Sequence, residues 1–213
     1  MTPELVLLTA LAGAGIRVAM LQRRVRTLEE ETITDPLTGA FNRRYMHDML
    51  ATVIERRRRH GERASLLLFD VDRFKRLNDA LGHVEGDRVL KTLVALIGQR
   101  MRKVDALFRA GGEEFALLLT GARFSDALHV AEDIRRVVHE AGLVPGRQVS
   151  ISVGVVELAP EQSVADWFAA ADAALYRAKR AGRNRVAGRV GDPGRFTNKQ
   201  SGSHRLPFPV RIS

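Results

Sequence analysis

The residues of this sequence with the greatest chemical reach are carboxylates in two short blocks. Asp70 and Asp72 close an apolar run, and Glu113 and Glu114 follow the pair Gly111-Gly112. Carboxylate oxygens are hard ligands suited to Mg2+, which keeps part of its water shell and shares the oxygens of a phosphorylated substrate. The carbonyl of Val71 would add one more oxygen. Gly111 and Gly112 carry no side chains, so a phosphate can come close to the turn they form. A plainer reading stands beside this one: two solvent-facing acids at a strand end, and a polar hairpin loop. The chain has no cysteine, which excludes disulfides, thiolate catalysis and cysteine-bound zinc or iron-sulfur centres.

For the acids to act together, the chain must carry both blocks to one place. Residues 64–69 form a short continuous apolar stretch, which predicts a buried strand delivering Asp70 and Asp72 at its end. Residues 106–109 and 115–119 predict two strands joined by the Gly-Gly turn, a hairpin beside that strand. Helical patterns cover 41–59, 87–101, 125–141 and 164–180, with Ser125 the expected N-cap of the third. Residues 148–157 are rich in β-branched side chains and predict a strand, 184–187 a final edge strand, and the stretch around Gly82 and Gly86 a loop. Within this order lies βαββαβ. The expected fold is therefore α+β: a ferredoxin-like antiparallel sheet covered on one face by helices, with additional helices outside that core.

Three regions are expected: residues 1–34, a folded domain over 35–188, and a flexible tail over 189–213. The net charge is +9. Residues 188–213 hold five basic residues against Asp192, residues 1–34 balance, and about half of the excess sits on the domain between them. That basicity is compatible with a phosphorylated substrate, and no interleaved aromatic-basic surface for specific nucleic-acid recognition accompanies it. Residues 5–21 are apolar apart from Arg17, with arginines just after them. Two readings stay open there, a membrane anchor with the rest of the chain on the cytoplasmic side and a soluble signalling or packing helix. Leu21, Val25, Leu28 and Thr32 form a short heptad-like stripe able to pair with a second copy.

The blocks taken together resemble the GGDEF, or diguanylate cyclase, family, here in its Gly-Gly-Glu-Glu-Phe form at Gly111 to Phe115. The likeness starts at Asp35-Pro36-Leu37-Thr38-Gly39 with Asn42-Arg43-Arg44 and continues through Phe69-Asp70-Val71-Asp72-Arg73-Phe74-Lys75-Arg76-Leu77-Asn78-Asp79. It resumes at Gly82-His83 and Gly86-Asp87, and ends at Ala171-Asp172-Ala173-Ala174-Leu175-Tyr176-Arg177-Ala178-Lys179 with Gly182-Arg183-Asn184.

The resemblance implies a nucleotidyl cyclase fold and an enzyme that joins two GTP into cyclic di-GMP, releasing pyrophosphate. It implies Asp70, the Val71 carbonyl, Glu113 and Glu114 as the site of Mg2+, with Mn2+ the alternative. Asn78 and Asp87 match the guanine-reading pair; apart from the resemblance they read as a turn cap and a helix cap. Lys75, Lys179 and Arg183 match triphosphate contacts, with Gly111 and Gly112 beside the nucleotide, and Lys75 joins Asp70, Glu113 and Glu114 in the implied catalytic set. Lys179 and Arg183, four positions apart, are expected on one helix face. Arg102 and Asp105 match the family's product-inhibition site, although Arg-x-x-Asp alone is equally a surface ion pair. The resemblance further implies a homodimer, each copy holding one GTP, in a bacterial cytoplasm or at the inner face of its membrane. Ala110 departs from the pattern, since an aromatic residue usually precedes the two glycines. The competing expectation is a catalytically silent domain that binds GTP or cyclic di-GMP and signals by protein contact.

Overall fold

The computed structural model describes residues 33–189. The apolar run, the heptad-like stripe up to Thr32 and the basic tail from residue 190 onward lie outside the described residues. Among the described residues no helix is long and apolar enough to cross a membrane.

Eleven elements follow one another: β1 (Phe41–Asn42), α1 (Arg43–His60), β2 (Ala64–Val71), α2 (Phe74–Leu81), α3 (His83–Gly98), β3 (Ala106–Gly111), β4 (Glu114–Thr120), α4 (Phe124–Glu140), β5 (Ile151–Glu157), α5 (Val164–Arg180) and β6 (Val186–Arg189). The strands make one sheet in the order β1-β3-β4-β2-β5-β6. The central pairings β2 with β4, β2 with β5 and β3 with β4 are antiparallel, as the ferredoxin-like reading requires. The outermost pairings are parallel, β1 with β3 and β5 with β6, so the full sheet is mixed.

Every residue of β2 is buried, because both faces of the sheet are covered. Leu67, Phe69 and Val71 pack with apolar residues of α3 and α4, while Leu66 and Leu68 pack on the other face with those of α1 and α5. The expectation of helices on one face is thus corrected. The βαββαβ unit supplies α3 and α4 to one side, and the flanking helices α1 and α5 seal the other. Gly154 in β5 permits that seal: a Cβ there would lie 2.3 Å from the backbone of both Ala171 and Leu175. Trp167, fully buried, ties α5 to the sheet by donating its indole N–H to the Val156 carbonyl at 3.0 Å.

Local chemistry moves several predicted boundaries. Asn42 accepts from the Tyr45 amide at 2.9 Å as the N-cap of α1, so the two residues before that helix are free to pair with β3. Arg123, not Ser125, precedes the first turn of α4, and the Asp126 carboxylate accepts from the Arg123 amide. β5 begins at Ile151, three residues later than predicted, and β6 is displaced to Val186–Arg189 because Arg183 and Asn184 hold left-handed backbone. The largest difference is α2, a helix where a loop was expected, with α3 starting at His83. Gly86 is not a loop residue but a buried position inside α3.

Candidate active site

The antiparallel register of β2 and β4 sets Asp70 opposite Glu114, and the Val71 amide donates to the Glu113 carbonyl at 3.4 Å. Asp70, Val71, Glu113 and Glu114 therefore share one corner of the sheet. Asp70 is buried at 8% exposure, Glu113 is half-buried and Glu114 is exposed. Burial drives the Asp70 carboxyl up, the neighbouring charges of Glu113 and Glu114 add to that, and the Lys179 ammonium opposes it; the outcome is a pKa pushed up to about 6. Lys179 reaches Asp70 from α5, with Nζ 2.8 Å from Oδ2. Such a carboxyl gains from a cation beside it. The donors here are all oxygen, which suits Mg2+ or Mn2+. Among the described residues no three acidic or histidine side chains converge into a cage. Mg2+ does not need one, since it binds through one or two carboxylates plus water and phosphate oxygens. Gly112 holds φ of 48° with nothing within 4 Å of where a Cβ would stand, so the turn offers open ground for a ligand.

Beside this corner, α2 and α3 face each other through Asn78 and Gly86. The Asn78 Oδ1 is buried with no hydrogen-bond partner, the one such atom among the described residues. It is unpaired because it rests against Gly86, where a Cβ would stand only 1.9 Å away. A buried acceptor without a donor is costly, and a group that supplied the donor would remove that cost. Asp87 is exposed on α3 next to this spot and lies several residues into the helix, so it is not a helix cap. Asn78 lies within α2, not at a turn.

Of the three basic residues expected at the triphosphate, Lys75 is exposed on the first turn of α2. Lys179 is engaged with Asp70, and Arg183 is exposed beyond the end of α5 with φ of 64°. The expectation that Lys179 and Arg183 share a helix face is corrected: α5 ends at Arg180, and Arg183 projects from a left-handed turn.

The sequence matches the family described as diguanylate cyclase, GGDEF domain, over residues 32–185. The chain belongs to the GGDEF family. It is 39% identical over 169 residues to the response regulator PleD of Caulobacter vibrioides, covering 76% of this chain and 37% of that protein. It is 39% identical over 165 residues to the diguanylate cyclase DgcM of Escherichia coli, covering 78% of this chain and 40% of that one. The chain thus spans less than half the length of these curated relatives. Its fold is similar to that of the GGDEF domain of DgcB from Caulobacter crescentus, solved in complex with c-di-GMP. That likeness has a TM-score of 0.70 and 32% identity, over 74% of this chain and 96% of that one.

In this GGDEF domain Arg102 and Asp105 close a tight turn: the Asp105 carboxylate accepts from the Arg102 amide at 2.9 Å, and the Asp105 amide donates to the Arg102 carbonyl at 3.0 Å. The Arg102 side chain is exposed. The turn precedes β3, whereas Gly111 ends it, so at about 3.3 Å per residue the two ends lie roughly 20 Å apart.

Sequence reasoning missed two links of the GGDEF domain. Arg109 donates from Nε to the Gly112 carbonyl at 2.9 Å and from its guanidinium to both carboxylate oxygens of Asp35 at 3.1 and 3.2 Å. Thr38 also donates to Asp35, through its amide at 2.9 Å and its hydroxyl at 2.6 Å. Burial raises the Asp35 carboxyl, but these hydrogen bonds and the Arg109 charge outweigh it and hold it below the usual carboxylate range. The Gly-Gly turn is thereby braced against the turn at which the chain enters the domain. Asp72 does not join the acidic corner through any hydrogen bond to Asp70, and accepts instead from the hydroxyls of Ser150 and Ser152 at 2.7 and 2.6 Å and from the Asn184 amide at 2.9 Å. The apolar run before it was the signal for a strand end, and nothing local distinguished the two aspartates.

Proposed function

We propose that this chain is a diguanylate cyclase that condenses two GTP into cyclic di-GMP and releases two pyrophosphates. The observation that carries the reading is the corner where buried Asp70 meets the Gly-Gly-Glu-Glu turn beside the unpaired Asn78 acceptor. Asp70, the Val71 carbonyl and Glu113 would hold Mg2+, with Glu114 beside it. When bound, the ion supplies charge that stabilises the attacked phosphate and the forming alkoxide.

The chain's own residues do the rest. Asn78 and Asp87 hydrogen-bond the guanine edge; the aspartate accepts from ring and exocyclic N–H groups that adenine does not present in that pattern. Lys75 and Arg183 steady the triphosphate, and Lys179, paired with Asp70, would be released toward phosphate with a metal bound at Asp70. The 3′-hydroxyl oxygen of one GTP bonds to the α-phosphorus of the other, the bond to pyrophosphate breaks, and Glu114 accepts the hydroxyl proton. The same exchange repeats in the opposite sense to close the ring. One domain holds one GTP, so two copies must face each other, and the stripe from Leu21 to Thr32 suits that pairing. Product returns to Arg102 and Asp105 as inhibitor; binding of c-di-GMP by the related DgcB domain supports this ligand class. Residues 5–21 serve either a membrane or a partner helix.

Purified protein incubated with GTP and Mg2+, with the products resolved, tests the reading. Cyclic di-GMP and pyrophosphate are expected from GTP and not from ATP, and Glu114→Gln should lower turnover by about 10²–10⁴-fold while GTP still binds. Saturable GTP binding without product from the wild-type chain would replace the cyclase reading with that of a silent signalling domain.

A further inference from the structure

Over the start of β5, one sheet position away from the acidic corner, lies a cavity of about 510 Å³ between α2, the loop before β5 and the turn after α5. Its lining includes Arg73, Arg76, Arg147 and Arg183. None of these four guanidinium groups makes an ion pair among the described residues. The single carboxylate in the lining is Asp72, whose oxygens are already taken by Ser150, Ser152 and Asn184. His139 adds no free donor, as its two ring nitrogens are bonded to Gln148 at 2.9 Å and Asn184 at 3.1 Å. Isolated surface arginines need no partner, but four around one concavity repel each other unless an anion joins them.

The backbone supports the same conclusion. Four described non-glycine residues hold positive φ, and three of them line this cavity: Arg73 at 59°, Arg183 at 64° and Asn184 at 44°. Left-handed backbone is uncommon outside glycine, and its concentration around one cavity marks these turns as built to aim their groups there.

We propose that this cavity is a binding site for a pyrophosphoryl group, separate from the metal corner and sharing only Arg183 with the proposed triphosphate contacts. Guanidinium forks match phosphoryl oxygens two at a time, and two linked phosphoryl groups offer enough oxygens for several arginines at once, which a single carboxylate does not. The inference rests on the cavity and not on the cyclase reading.

The test is calorimetric titration of the full chain with inorganic pyrophosphate in EDTA, so that no metal supports phosphate at the acidic corner. Saturable binding is expected, weakened about tenfold or more in Arg76→Ala/Arg147→Ala and unchanged in Asn78→Ala. Arg76 and Arg147 are exposed and lie outside the proposed catalytic set, so the double variant should melt as the wild type does. Competition by GTP and ATP alike would assign the group to a nucleotide tail, and the absence of competition would assign it to free pyrophosphate. No saturable binding by the wild-type chain up to about 10 mM, or equal affinity in the double variant, overturns the proposal.

Discussion

The Asp70 carboxyl ionises against its surroundings, being shifted from the ordinary 3.8 to about 6. Its folded pKa lies above its unfolded one, so ionisation opposes folding. The penalty is absent below about pH 4, grows as pH rises between the two values, and is complete above about 6. Asp70→Asn should therefore raise the metal-free stability at pH 7.5 by on the order of 1–3 kcal/mol, with the gain vanishing near pH 4. Thermal melts in EDTA across that range check it, and equal melting temperatures at pH 7.5 would refute it. Gly86 separates function from stability in the opposite way. Its missing Cβ makes room for the Asn78 amide, so Gly86→Ala pushes aside a flexible side chain while adding a better helix former. The melting temperature should hold within a few degrees while the KM for GTP rises about 10–100-fold, the worth of one or two lost hydrogen bonds. A KM unchanged by this substitution would count against Asn78 as a base-reading residue.

Among the elements, those with continuous patterns were legible. The apolar run of β2 and the hairpin around Gly111-Gly112 lie within two residues of where periodicity placed them, because burial dictates their residue types. α2 was hidden by Gly82 and Gly86, which look like loop punctuation; Gly86 is glycine for the sake of Asn78, a reason that exists only in three dimensions. The brace from Asp35 through Arg109 to Gly112 joins residues 74 positions apart, and no local pattern announces such a pair. The second covered face was missed because βαββαβ accounts for only two of the helices. Gly154 is what that face depends on. Gly154→Ala sets a methyl against fixed backbone, not a movable side chain, and should cost about 1–3 kcal/mol or more, read as a lower denaturation midpoint. A midpoint equal to wild type would show that α5 can ride further from the sheet.

For the whole molecule, the separation of Arg102 and Asp105 from the Gly-Gly turn, at opposite ends of β3, bears on the proposed inhibition by product. A ligand roughly 20 Å from the turn does not displace GTP sterically. Inhibition by added cyclic di-GMP should accordingly survive saturating GTP, and Arg102→Ala should shift its midpoint upward about tenfold or more with little change in the uninhibited rate. An unchanged midpoint in that variant, with inhibition intact, would place the regulatory contact elsewhere.

The ion pair between Lys179 and Asp70 has one more consequence. At rest the domain keeps its own ammonium beside Asp70, where a divalent cation would sit, and this offsets one of the three carboxylates of the corner. Lys179 would lose its partner if a divalent cation alone were held by Asp70, and it would have to leave a buried carboxylate if it reached for a triphosphate alone. Each newcomer bears a cost that the other removes. On the proposed cyclase reading the two would therefore be thermodynamically coupled, each tightening the other by the same factor, and the nucleotide would load most readily already carrying its ion.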